Sequence, residues 1–223
     1  MNYTHFDGYK QGPTTDSPFS SGQHIPGINV GGWYEAGDFD LRTQTQTRII
    51  QDLTLAREQF GAKSDDTTVD ETAWLVEMRK PDGIPDVIQQ IEHGVLLLLA
   101  EYHAVGHAIP GIIEPTLDEY AFVGDAAPKT DGRIYSKQMA PFETDGIHTG
   151  LPDDRWAFTT HTTALNYDLT GALATASRVP RGFNDKMAQE CLQTAEEVWN
   201  EKQKQPAGNI SVFQYNGDRS AAG

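Results

Sequence analysis

The chain has a single cysteine, Cys191, among its 223 residues, which excludes an intrachain disulfide and any metal centre built from several thiolates. Basic residues are also scarce: 17 Lys and Arg stand against 32 Asp and Glu, for a formal charge of -15. Nucleic-acid binding relies on clustered Lys and Arg that displace counterions from phosphates, so the composition argues against a polyanionic partner and leaves neutral ones open. Long apolar runs are missing. The longest, from Val95 to Ala100, falls far short of the roughly 20 residues that a bilayer requires, so it predicts a buried helix and no membrane partner. The first residues, MNYTHFDGYK, lack the basic patch and following apolar stretch of a signal peptide.

What the chain does concentrate is GGWYEAGDFD, from Gly31 to Asp40. Two carboxylates, Glu35 and Asp38, lie three residues apart on a backbone punctuated by Gly31, Gly32 and Gly37, which allow tight turns and close approach of a ligand to the backbone. Trp33 and Tyr34 offer flat apolar faces with polar edges. Paired acids can hold and deprotonate a water, and a helix N-terminus favours the charged form of a nearby carboxylate. Two plainer readings stand beside this one. Asp38 and Asp40 are ordinary helix caps, and Glu35, Asp38 and Asp40 are hard oxygen ligands of the kind calcium takes, although the twelve-residue loop pattern is missing.

Periodicity and breakers predict mostly helices joined by long loops. Residues 1–30, rich in Gly and Pro, read as an ordered loop with short extended pieces. A helix is expected over 41–59, capped by Asp40, with Ile49, Leu53, Ala56 and Phe60 on its inner stripe and Gly61 as its stop. A short helix is expected over 71–78, and a buried one from Asp86 to about Gly106. Residues 109–152 carry too many breakers for a long helix, with a short one at 116–122, and read as a functional surface. Further helices are expected over 156–177 and from an Asn184 cap to Pro206, the latter with Met187, Ala188, Cys191, Leu192, Ala195, Val198 and Trp199 as its stripe. Residues 211–215 make the one expected strand. His93 and His161 read as hydrogen-bonded core residues.

GGWYEAGDFD resembles the GGW-x-DAGD signature of glycoside hydrolase family 9, the inverting β-1,4-glucanases. Other blocks resemble bacterial members in the same order: HFDGYKQGPT from His5, PDGIPDVIQQIEHGV from Pro81, DDRWAFT from Asp153, and ALATASRV followed by FNDKMAQECLQTAEEVW. The resemblance implies an all-α fold, part of an (α/α)6 barrel, with residues 1–223 forming the N-terminal part of one catalytic domain that is incomplete at its C-terminus. It implies a β-glucan substrate, Asp38 as catalytic base and Glu35 helping to hold the attacking water. This chain departs from the family by having Glu35 where the signature has Asp. The family's general acid, a Glu late in the barrel, has no counterpart here, so the chain alone is expected to hydrolyse poorly or not at all.

Trp33, Tyr34, Asp154, Arg155 and Trp156 are the candidate substrate-binding residues, with local packing and an Asp-Arg helix cap as the plainer readings. No metal or other cofactor is assigned, although some relatives bind calcium. The resemblance implies a secreted or periplasmic location. Two other functions remain open from the sequence: a glycan-binding barrel that has lost hydrolysis, and a helical-barrel lyase with Tyr, His or Arg as base.

Overall fold

The computed structural model describes residues 8–13, 16–35, 40–70, 73, 75–113 and 130–204. Four helices carry the main core: α1 (Thr43–Phe60), α2 (Asp86–Val105), α3 (Thr163–Ala176) and α4 (Asp185–Lys204). α1 packs on both α2 and α3, and α3 packs on α4. Ile50, Ile88, Ile91, Val95, Leu98, Leu165, Leu169, Leu173, Cys191 and Val198 are buried among them. These residues recur at helical spacing along each segment, which is how an amphipathic helix closes a core.

α2 starts and stops where its sequence indicates, ending on Gly106 in a left-handed conformation. Asn184 caps α4 by accepting the Met187 N–H at 3.1 Å, and the stripe through Ala188, Cys191, Ala195 and Val198 is buried. Burial pushes the Cys191 thiol up to about 12, so it packs as an inert hydrophobe.

Among the described residues eight short strands accompany the four helices, so the all-α expectation holds only for the helical part, and these helices alone do not show the (α/α)6 barrel. Strands β1 (Tyr9–Gln11), β2 (Leu41–Arg42), β5 (Gly111–Ile113) and β8 (Arg155–Phe158) form one sheet in the order β1-β8-β5-β2. β3 (Thr67–Asp70) pairs with β4 (Leu75–Met78), and β6 (Ile134–Tyr135) with β7 (His148–Thr149). Residues 156–158, expected to open a helix, belong instead to β8 inside the sheet. β8 runs parallel to β1 and antiparallel to β5, and α3 begins only at Thr163, where Thr162 caps it. The short helix expected over 71–78 is likewise overturned by the β3–β4 hairpin in the residues described there. The expected elements at 116–122 and 211–215 lie outside the described residues.

α1 departs from its expected stripe for a physical reason. Its inner face is Thr43, Gln46, Thr47, Ile50 and Thr54, correctly spaced but mostly polar, whereas Phe60 is 82% exposed. Asp40 does not cap it. Leu41 and Arg42 are drawn into the sheet against Gly111 and Ile112, which delays the helix to Thr43 and leaves Arg42 at the cap position with no side-chain cap bond.

The polar start of α1 is tied to α2 by Glu101, which is fully buried. Thr43 Oγ1 lies 2.9 and 3.0 Å from its two oxygens. Burial raises the Glu101 carboxyl from 4.5 to about 8, against the opposing hydrogen bonds from Thr43 and the Ile109 backbone. The folded chain therefore holds this proton more tightly than the unfolded one. Its contribution is fully present below about pH 4.5 and is lost as pH rises towards 8, with a slope of at most about 1.4 kcal/mol per pH unit. Glu101→Gln keeps a donor and an acceptor in place and removes the titration. Thermal melts at pH 5 and pH 8 should show a smaller drop in Tm for the variant than for the parent; equal drops would contradict this origin.

Candidate active site

The sheet brings the separate parts of the sequence-derived site together. β2 leaves the 31–40 stretch directly, while β8 carries Arg155 and Trp156 two strands away. Gly31 and Gly32 turn the chain with φ of 61° and 77°, and Gly32 donates its N–H to the His93 carbonyl on α2 at 2.9 Å. A Cβ on Gly31 would lie 2.3 Å from that carbonyl oxygen, so the turn is seated against the helix backbone.

Trp33 and Tyr34 then part company. The Trp33 indole enters the helical core over Gly94, where a Cβ would come within 2.5 Å of the ring. It donates Nε1–H to Gln90 at 3.0 Å and meets the His93 ring edge-on at 5.6 Å. Gln46 on α1 holds its backbone from both sides, accepting the Trp33 N–H and donating to the Trp33 carbonyl, each at 2.8 Å. Burial depresses His93 to about 4, so this packing uses the neutral imidazole. Tyr34 turns the other way, onto the sheet-side core with Tyr9, Leu41 and Ile112. Its hydroxyl lies 3.5 Å from that of Tyr9, and the Arg155 guanidinium lies 6.0 Å from its ring centre.

Glu35 is held by three contacts. Its N–H donates to the Asp40 carbonyl at 2.7 Å, joining the two described residues that flank Asp38. Thr45 Oγ1 donates to its Oε1, and Arg42 Nε donates to its Oε2 at 3.1 Å. Both carboxylate oxygens thus face the first turn of α1 and the strand before it. Asp38, the expected base, lies outside the described residues.

Asp154 and Arg155 are buried, at 2% and 3% exposure. Asp154 accepts the Tyr135 N–H at 3.0 Å and packs against Gly8, where a Cβ would meet its carboxylate. Burial raises its carboxyl to about 6. Trp156, half-buried, carries the Lys10 ammonium 4.2 Å above its ring, and burial lowers the Lys10 amine. Arg155 therefore joins Tyr34 and Tyr9, whereas Asp154 and Trp156 join β1 and the 130–150 loop.

Gln46, Gln90, Arg42 and Thr45 do not stand out in the sequence as site residues. The available signal is the run TQTQT at the start of α1, where polar side chains occupy inward positions. Among the described residues, no group of three or more His, Cys, Asp or Glu is arranged to hold a metal ion, and no helix is long and apolar enough to cross a membrane.

The family model described as Glycosyl hydrolase family 9 matches residues 13–221. No curated protein sequence matches the chain. Among solved structures, the fold is similar to that of a metagenome-derived glycoside hydrolase family 9 endoglucanase, with a TM-score of 0.62 and 19% identity over 92% of this chain and 31% of that one. It is similar to a single-mutant thermostable endoglucanase from Alicyclobacillus acidocaldarius, with a TM-score of 0.58 and 15% identity over 92% and 32% of the two chains. It also resembles AaCel9A in complex with cellobiose-like isofagomine, with a TM-score of 0.56 and 18% identity over 92% and 32%. The chain spans about a third of the length of these structures. At such identities the likeness is one of fold.

Proposed function

The chain belongs to glycosyl hydrolase family 9, and on that premise we propose that the protein carrying it hydrolyses β-1,4-linked glucan with inversion at the anomeric carbon. Asp38 is the general base that deprotonates the attacking water, and Glu35 assists. Residues 1–223 belong to one catalytic domain. The observation that carries this reading is the bracing of the described part of GGWYEAGDFD: Gln46 holds Trp33, Thr45 and Arg42 hold Glu35, and the Glu35 N–H bonds the Asp40 carbonyl. A water-activating acid gains most of its effect from such fixed placement.

Inversion also requires an acid to protonate the leaving oxygen, roughly 6.5 to 9.5 Å from the base so that water fits between them. We assign no residue of this chain to that role and place the acid elsewhere in the protein, so these 223 residues alone turn over little substrate. Of the two aromatics in the motif, Tyr34 is the one assigned to meet a sugar, since Trp33 fills the helical core. A polymeric glucan cannot cross a membrane, so the reading implies an extracytoplasmic location.

New reducing ends released from β-1,4-glucan, and none from a β-1,3-glucan, are the expected result in assays of the protein carrying this chain. A second reading, glycan binding without hydrolysis, draws on one observation: both oxygens of Glu35 are already engaged by Thr45 and Arg42. Oligosaccharide binding with no reducing ends formed would favour it.

A further inference from the structure

Outside the site, the least economical piece of backbone is the turn Ala140–Glu143. Glu143 donates its N–H to the Ala140 carbonyl at 3.0 Å, so Pro141 and Phe142 are its two central residues. Phe142 has φ of 70°, a left-handed conformation that the third position of such a turn reserves for Gly or Asn. Among the described residues, only Arg79 and Phe142 have positive φ without being glycine. Within these 223 residues the aromatic ring gains no burial in exchange, being 89% exposed.

The surrounding loop imposes this conformation. The Glu143 side chain accepts the Ala140 N–H at 2.9 Å, and its carbonyl accepts the Gly150 N–H at 3.1 Å. Asp145 accepts the N–H groups of Ile147 and His148, and β6 pairs with β7 beneath the tip. At its base the loop is hooked to the site strand: Asp131 donates its N–H to Asp153 at 2.6 Å and Tyr135 donates to Asp154 at 3.0 Å, immediately before Arg155 and Trp156. Strain kept at an exposed position and over-determined by its surroundings is a mark of function.

We propose that Phe142 is a stacking platform for a pyranose ring of the glucan chain, at a position remote from the bond that is cut. The ring offers a flat apolar face, the second carboxylate oxygen of Glu143 supplies an acceptor for a hydroxyl at its rim, its first being held by the Ala140 N–H, and a net charge of -15 suits a neutral ligand. This rests on the glucan-hydrolase reading above.

Calorimetric binding of a β-1,4-linked glucose hexamer and dimer to the protein carrying this chain tests it, with Phe142→Gly and Phe142→Tyr as variants. Phe142→Gly relieves the backbone and should not lower Tm, while weakening hexamer binding at least about threefold and leaving dimer binding unchanged. Phe142→Tyr should bind the hexamer like the parent. Unchanged hexamer affinity in Phe142→Gly overturns the platform, as does equal weakening for both ligands. A dimer of the parent protein that dissociates in Phe142→Gly would assign the ring to self-association instead. A parent that binds neither oligosaccharide refutes the glucan reading itself, and the platform with it.

Discussion

Asp38→Asn in the protein carrying this chain is expected to lower kcat on β-1,4-glucan by about 10²–10⁴-fold, the range that a positioned general base supplies. The amide matches the carboxylate in size and cannot accept the water's proton. Oligosaccharide affinity and Tm should stay at parental values, because the flanking residues are fixed by other groups: the Glu35 N–H on the Asp40 carbonyl and Gln46 on Trp33. Steady-state kinetics with a parallel melt separate the outcomes. A variant that keeps its kcat removes Asp38 from the chemistry, whereas joint loss of kcat and Tm would make it a structural residue.

Glu35→Asp, which restores the residue type of the family signature, is expected to lower kcat between about tenfold and a hundredfold, the effect of a small misplacement in a positioned site. The longer side chain is fitted to its partners here, reaching Thr45 with one oxygen and Arg42 with the other. Shortening it by one methylene breaks at least one of these contacts. Stability should hardly change, because the Arg42 and Glu35 side chains are 45% and 28% exposed, and an ion pair so open to water contributes about 0.5 kcal/mol. Thr45→Ser keeps the hydroxyl and should keep kcat, while Thr45→Ala should lose part of it. A Glu35→Asp variant faster than the parent would show instead that the extra methylene is a defect.

The helical half of the fold was legible because its signal is local. Apolar spacing and glycine stops place α2, and Asn184 places the start of α4, without knowledge of the rest of the chain. The sheet was not legible, because its strands are two to four residues long and their partners lie far apart in sequence, as with Tyr9 and Arg155. Residues 156–158 read as the start of the helix that follows and form a strand because β1 and β5 flank them. The inner face of α1 misled for a related reason: Thr43 and Gln46 are buried because they bond to Glu101 and Trp33, and a polarity pattern cannot anticipate partners on another element. At the site, the motif residues were legible and their braces were not. Nor did the sequence show that Trp33 fills the core while Tyr34 turns toward Arg155, since adjacent aromatics read alike until each has a core to enter.

The anomeric form of the first product tests the central claim most directly. Proton NMR of β-1,4-glucan hydrolysis by the protein carrying this chain, recorded before mutarotation, should show the α-anomer accumulating first, because water activated by Asp38 attacks the face opposite the leaving oxygen. First appearance of the β-anomer would contradict the assignment of Asp38 as the base of an inverting site.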